Sequence, residues 1–181
     1  VARPFELVSE QQVAEGFRFT VARATYRAED GTTFERDIVH HPGAVGVIPL
    51  HDDGTVTLVT QYRAALQRDL IEVPAGIRDV EGEDDATTAA RELVEEAGLE
   101  AGRLEYLTSY NNSPGFSDEQ VALYLATELR EVPHDPQGIE EQSMTLARVP
   151  LDDALAQIDA GVITDAKTVI GLLTLDRRRR R

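Results

Sequence analysis

The chain contains no cysteine, and that absence removes disulfide bonds, thiolate metal sites and thiol nucleophiles together. Positive charge is scarce as well: 18 Lys and Arg face 33 Asp and Glu, for a net charge of −15 at pH 7. A nucleic-acid partner needs a basic stripe for its phosphates, which the body of this chain lacks. Long apolar runs are missing too. The longest, 44–50 and 169–175, fall far short of the roughly 20 residues of a membrane-spanning helix. The acidic start, with Glu6, Glu10 and Glu15, does not read as a signal peptide, and Val1 in place of methionine fits a processed or trimmed start. These absences point to a soluble, cytoplasmic protein with neither nucleic acid nor membrane as partner. His40, His41, His51 and His134 lack the spacing of a zinc site or a hydrolase triad and are assigned no chemistry.

What is present is enough for one core. With 181 residues, 41% of them hydrophobic, the chain suits one catalytic domain with a small appendage. Phe17, Phe19 and Val21 alternate with polar residues, and turn chemistry at 29–32 precedes an apolar-polar run at 34–39, so a hairpin is predicted. Further strands are predicted at 44–50, 55–62, 70–73, 104–110, 121–126 and 144–149, and late helices at 151–160 and 166–175. Strands before a central helix, strands after it and closing helices suggest a mixed sheet between helices, an α/β class. The arginine run 177–181 reads as a solvated basic tail, or as a segment folded back on its own acidic surface.

The central helix carries the chemistry. Asp84 or Asp85 can cap its amino end, Gly98 suits a left-handed carboxyl cap, and Ala86, Ala90, Leu93 and Ala97 make a small-residue apolar face. At about 100° per residue, Glu92, Glu95 and Glu96 project from one side within about one turn. Crowded carboxylates repel one another, and hard oxygen ligands at that density suit Mg²⁺ or Mn²⁺. Arg91, four residues before Glu95, can orient a carboxylate. By itself this spacing also describes an ordinary solvated acidic face.

The segment from Gly76 through Glu83 to Arg91-Glu92-Leu93-Val94-Glu95-Glu96-Ala97-Gly98-Leu99 resembles the Nudix box, Gly-x5-Glu-x7-Arg-Glu-U-x-Glu-Glu-x-Gly-U with U a bulky aliphatic residue. One departure is visible: six residues, Ile77 to Gly82, stand between Gly76 and Glu83 where the pattern has five. The extra residue leaves the helical register intact and bears on Glu83 and on how this loop meets substrate, not on Glu92, Glu95 and Glu96. Pro114, sixteen residues after Gly98, resembles the marker of the ADP-ribose pyrophosphatase branch of this family.

The resemblance implies a Nudix-type α/β/α sandwich with a mixed β-sheet (42–176) and a small N-terminal antiparallel β-sheet (1–41) that dimerises. It implies metal-dependent hydrolysis of ADP-ribose, or a related nucleoside diphosphate sugar, to AMP and ribose 5-phosphate. Two or three Mg²⁺ or Mn²⁺ ions would be held by Glu92, Glu95, Glu96 and the Ala75 carbonyl. Glu141, or else Glu140, in the polar segment 131–142, would act as base once that loop closes. Arg36 and Arg63 would touch the diphosphate, Arg36 from the partner subunit of a homodimer, and Gly76, Pro114, Phe116 and Glu119 would shape the substrate site. Read from the residues alone, these arginines also fit surface ion pairs, the Pro-Gly segment a polar turn, and the loop glutamates a solvated loop. GDP-mannose or UDP-glucose as substrate, and a sensor that binds without cleaving, stand as alternatives.

Overall fold

A computed structural model describes residues 4–133 and 143–181. The chain divides into two compact units: residues up to Gly43 with Asn111–Gln120, and Ala44–Tyr110 with Val121–Arg181.

In the first unit, β1 (Phe5–Glu15), β2 (Thr20–Ala28) and β3 (Thr33–His40) form an antiparallel sheet in that order. The β2–β3 hairpin matches the sequence expectation. Asp30 accepts from the Thr32 amide at 2.9 Å, and Gly31 turns the chain at a φ of 86°, a conformation that costs glycine little. Phe17, expected in a strand, lies instead in the turn where the Gly16 amide donates to the Phe19 carbonyl, and β2 starts only at Thr20. Residues 111–120 belong to this unit, which a linear division at residue 41 does not anticipate. The Val39 amide donates to Phe116 O at 2.7 Å, and the Asp118 amide donates to Val39 O at 3.2 Å.

The second unit contains two sheets. In one, β5 (Thr55–Arg63) lies antiparallel between β10 (Thr145–Pro150) and β6 (Arg68–Glu72). The other runs β7 (Ala75–Ile77), β4 (Ala44–Pro49), β9 (Gln120–Glu131), β8 (Leu99–Asn111). It is mixed, because β4 is parallel to β9 and antiparallel to β7. Pro74-Ala75-Gly76, read from sequence as a turn, is therefore largely strand: Ala75 and Gly76 pair with Gly46 and Val45, and so cover the edge of β4.

β4 is buried on both faces, which is why its sequence is a continuous apolar run. Val45 and Val47 pack with Ala89, Leu93 and Ala97 of α1 (Asp85–Ala97) and with Ala122 and Ala126 of β9. Ile48 packs with Leu123 of β9, Leu151 and Ala154 of α2 (Leu151–Asp159), and Leu172 and Leu175 of α3 (Ala166–Arg179). Helices thus cover both faces of a mixed sheet, the sandwich expected from the sequence. Gly171 permits the close approach, since a Cβ there would meet Ile48 Cδ1 at 2.9 Å.

Both ends of α1 are fixed as the sequence indicates. Asp84 accepts from the Thr87 amide, and Gly98 adopts φ 60°, ψ 34° while its amide reaches back to Leu93 O and Val94 O. The solvated-tail reading of the terminal arginines is corrected: α3 continues to Arg179, and Arg178 donates to Leu107 O at 2.7 Å and to Glu105 at 3.1 Å. Arg179 and Arg180 pair with Asp176, each at 2.8 Å. The acidic body supplies partners that a free tail would lack.

Candidate active site

The buried face of α1 is not the one drawn from its alanines. Ala86 and Ala90 are exposed, whereas two adjacent i, i+4 rows are buried: Ala89, Leu93 and Ala97 toward the sheet core, and beside them Thr88, Glu92 and Glu96. Two carboxylates therefore lie inside the protein, and the glutamate face is not the wet one. Glu92 is 8% exposed and Glu96 6%.

β7 receives them. A Cβ built at Gly76 would fall 1.9 Å from Glu92 Cδ, so only glycine lets that carboxylate lie against the strand. Glu96 accepts the Ala75 amide at 2.8 Å. Burial is the largest influence on both side chains and raises each carboxyl pKa to about 7. Arg91 opposes the rise at Glu92 and the Ala75 amide opposes it at Glu96, but neither prevails.

Arg91 organises the solvent side of this ridge. It pairs with Glu92 at 2.8 Å, Glu95 at 2.9 Å, Glu83 at 3.3 Å and Asp79 at 3.6 Å. Its guanidinium is thereby committed to orienting carboxylates. The extra residue before Glu83 is absorbed in a turn in which Gly82 has φ 82° and the Glu83 amide donates to Val80 O. Glu83 still reaches the helix, accepting from Thr88 Oγ1 at 2.7 Å.

Arg63 is also engaged. It forks onto Glu72 through Nε–Oε1 at 2.7 Å and an amino nitrogen on Oε2 at 2.5 Å. Glu72 is 1% exposed, and Lys167 of α3 donates to the same carboxylate. Lys167 also pairs with Asp165 at 3.1 Å. Burial works to raise the Glu72 pKa, but the two cations outweigh it and hold the group below its ordinary value. Glu72 and Lys167 were not singled out from sequence, and 95 residues separate them. One signal was available: Glu72 shares the inward parity of Leu70, so a charge had to be buried there.

In the first unit, Arg36, Pro114 and Phe116 line one open cleft of about 1110 Å³, with Phe5, Tyr26 and Phe34. The Arg36 guanidinium stacks over the Phe34 ring at 4.8 Å and donates to Glu35 O at 2.7 Å. Glu119 does not line this cleft; it accepts from Asn112 at 2.7 Å and lies 3.7 Å from His41 Nδ1. His40, given no role from sequence, donates from Nδ1 to the Asp118 carboxylate at 2.6 Å, and its Nε2 lies 3.3 Å from Glu10. Glu140 and Glu141, the expected bases, lie outside the described residues.

Among the described residues, no three carboxylate or imidazole side chains converge as a ready cation cage. Glu92 and Glu95 are turned onto Arg91, and Glu96 onto the Ala75 amide. The donor chemistry nevertheless fits a hard divalent cation. Two buried carboxylates four residues apart carry a desolvation cost that Arg91 and the Ala75 amide offset only in part and that a cation would relieve, and all the donors are oxygens.

Helices on both faces of a mixed sheet, with two buried carboxylates seated on a short Ala-Gly strand, define an α/β protein with an oxygen-rich site on its central helix. Residues 40–169 match the NUDIX domain model, and the chain belongs to that family. It is 39% identical over 171 residues to an ADP-ribose pyrophosphatase of Mycobacterium tuberculosis, an alignment covering 94% of this chain and 83% of that protein. It is 41% identical over 143 residues to a methanol dehydrogenase activator of Bacillus methanolicus, covering 79% and 77% of the two chains. A crystal structure of an ADP compounds hydrolase shares the fold, with a TM-score of 0.85 at 20% identity, over 99% of this chain and 96% of that one.

Proposed function

We propose that this chain is a divalent-cation-dependent hydrolase that cleaves the pyrophosphate bond of ADP-ribose, or of a closely related nucleoside diphosphate sugar, giving AMP and ribose 5-phosphate. The observation that carries the reading is the burial of Glu92 and Glu96 against Ala75 and Gly76. Burial raises both carboxyl pKa values to about 7 in spite of the Arg91 contact and the Ala75 amide, a cost that a bound divalent cation would offset. The ADP-ribose pyrophosphatase relative, aligned over nearly the whole chain, supports the choice of substrate.

Two or three Mg²⁺ or Mn²⁺ ions, held by Glu92, Glu95, Glu96 and the Ala75 carbonyl, would offset the diphosphate charge and lower the pKa of a bound water. Arg91 keeps the carboxylates in their rotamers, as its four ion pairs suggest. Arg63 and Arg36 take diphosphate oxygens, for which a guanidinium fork is suited. Pro114, Phe116 and Glu119 contact the nucleoside or ribose. Glu141, or Glu140 in its place, accepts the proton of the attacking water, whose oxygen bonds one phosphorus as the bridging oxygen leaves with the other phosphate. The sheet β1–β3 forms a homodimer interface, and the enzyme works in the cytoplasm.

A kinetic panel of ADP-ribose, GDP-mannose and UDP-glucose, each with Mg²⁺ and with Mn²⁺, tests this. ADP-ribose is expected to give the highest kcat/KM. A different best substrate would reassign specificity, and tight binding without product would make the protein a sensor.

A further inference from the structure

The buried carboxylate of Glu72 carries two cations where one would satisfy its charge. Their settings differ. Lys167 is 12% exposed and lies between Glu72 and Asp165, the N-cap of α3. Asp165 is itself satisfied by the helix it caps, accepting from the Thr168 amide at 2.9 Å and from Thr168 Oγ1 at 2.6 Å. Its charge is thus largely answered by the helix terminus, which leaves the ammonium of Lys167 for Glu72. Arg63, at the end of β5, is 40% exposed and forms the solvent side of the cluster. The network adjoins the carboxylate ridge: Thr168 Oγ1 accepts the Val73 amide at 2.8 Å, and two residues later the Ala75 amide binds Glu96.

A buried carboxylate cannot lose its last cation without a large penalty. It can release one of two. Resting on the hydrolase reading above, we propose that Lys167 is a positioning residue for substrate: by holding Glu72 alone, it allows the Arg63 guanidinium to turn from Glu72 onto a phosphate oxygen of the diphosphate. Without Lys167, Arg63 is tied to Glu72. The same guanidinium then cannot serve both carboxylate and phosphate. Arg63 thus acts on the substrate and Lys167 acts through Arg63.

The test compares the full-length protein with Lys167→Met, Lys167→Arg and Glu72→Gln/Lys167→Met. Measured quantities are KM and kcat for ADP-ribose with Mg²⁺, and the calorimetric Kd for ADP-ribose in EDTA. Lys167→Met should raise KM and Kd about tenfold, the worth of a charge-assisted hydrogen bond, with kcat little changed. Lys167→Arg should restore most of the affinity. The double variant should also recover affinity, because a neutral amide in place of the Glu72 carboxylate no longer holds Arg63. A purely structural role for Lys167 predicts a lower melting temperature in Lys167→Met with KM and Kd unchanged. Unchanged KM and Kd in Lys167→Met, or no recovery in the double variant, overturns the proposal. If Lys167→Met does not fold, the double variant decides alone: affinity near the wild-type value supports the proposal, and a tenfold loss overturns it. Wild-type protein that neither binds nor cleaves ADP-ribose or another nucleoside diphosphate sugar overturns the hydrolase reading and this inference with it. Cleavage by wild type with affinity unchanged in Lys167→Met overturns the inference alone.

Discussion

The carboxylate of Glu92 rests on the backbone of Gly76, so closely that a methyl group at position 76 would overlap it. The glycine that stands twenty-two residues along the chain from Gly98 is therefore a steric requirement of the site. Its backbone φ is not in the left-handed region, so no turn demands it. The space beside Glu92 demands it.

Gly76→Ala should displace Glu92 while sparing β7, whose pairing with Val45 uses only backbone groups. A misplacement of about 1 Å in a catalytic group can cost on the order of a hundredfold in rate. That loss in kcat/KM, with an unchanged circular dichroism spectrum, is the expected result. Full activity would show that Glu92 is free to move without consequence.

Glu92→Gln and Glu96→Gln should nearly abolish turnover without destabilising the cation-free protein at pH 8. Both carboxyl pKa values are raised by burial from the ordinary 4.5 to about 7. A raised folded-state pKa gives stability that is complete below the unfolded value and is lost as pH rises through the folded one. At pH 8 in EDTA each native glutamate is thus a liability that glutamine removes. Melting temperatures of the variants equal to or above wild type are expected, and a clear drop would contradict the burial argument.

The His40–Asp118 pair gives the first unit its own pH dependence. The Asp118 hydrogen bond is the main cause of a raised His40 pKa, with Glu10 adding to it against partial burial. His41 and Glu119 lie beside the pair. Its contribution is complete below the ordinary histidine value of 6.5 and fades as pH rises past the folded value. Asp118 moves oppositely: burial pushes its pKa up, but His40 and the His41 amide hold it below 3.8, so its share is lost only in acid. Wild type should melt above His40→Gln at pH 6, and the gap should close by pH 9. A gap independent of pH would dismiss the charged pair.

Much of this architecture was legible in the sequence, and the failures have physical causes. The caps at Asp84 and Gly98 bound α1 because short side-chain acceptors and a left-handed glycine act locally. The apolar run announced β4 as a strand, and its burial on both faces explains why that run is continuous. By contrast, β1 is exposed along its whole length, so it had no burial to imprint a period on the sequence. The inward turn of Glu92 and Glu96 was hidden because glutamate ordinarily marks the wet face of a helix. Glu72 and Lys167 escaped notice because their pairing depends on tertiary contact between β6 and α3. For the arginines after Leu175 the sequence left a free tail and a folded-back segment both open, because the choice depends on Asp176, Glu105 and the Leu107 carbonyl being in place to bind them.

Product analysis of wild type and Glu96→Gln with ADP-ribose, in Mg²⁺ and in excess EDTA, tests the central claim most directly. AMP and ribose 5-phosphate formed only by wild type with Mg²⁺ is the expected outcome. Equal AMP formation by the variant, or undiminished formation in EDTA, would contradict the assignment of the buried ridge as the cation-dependent centre.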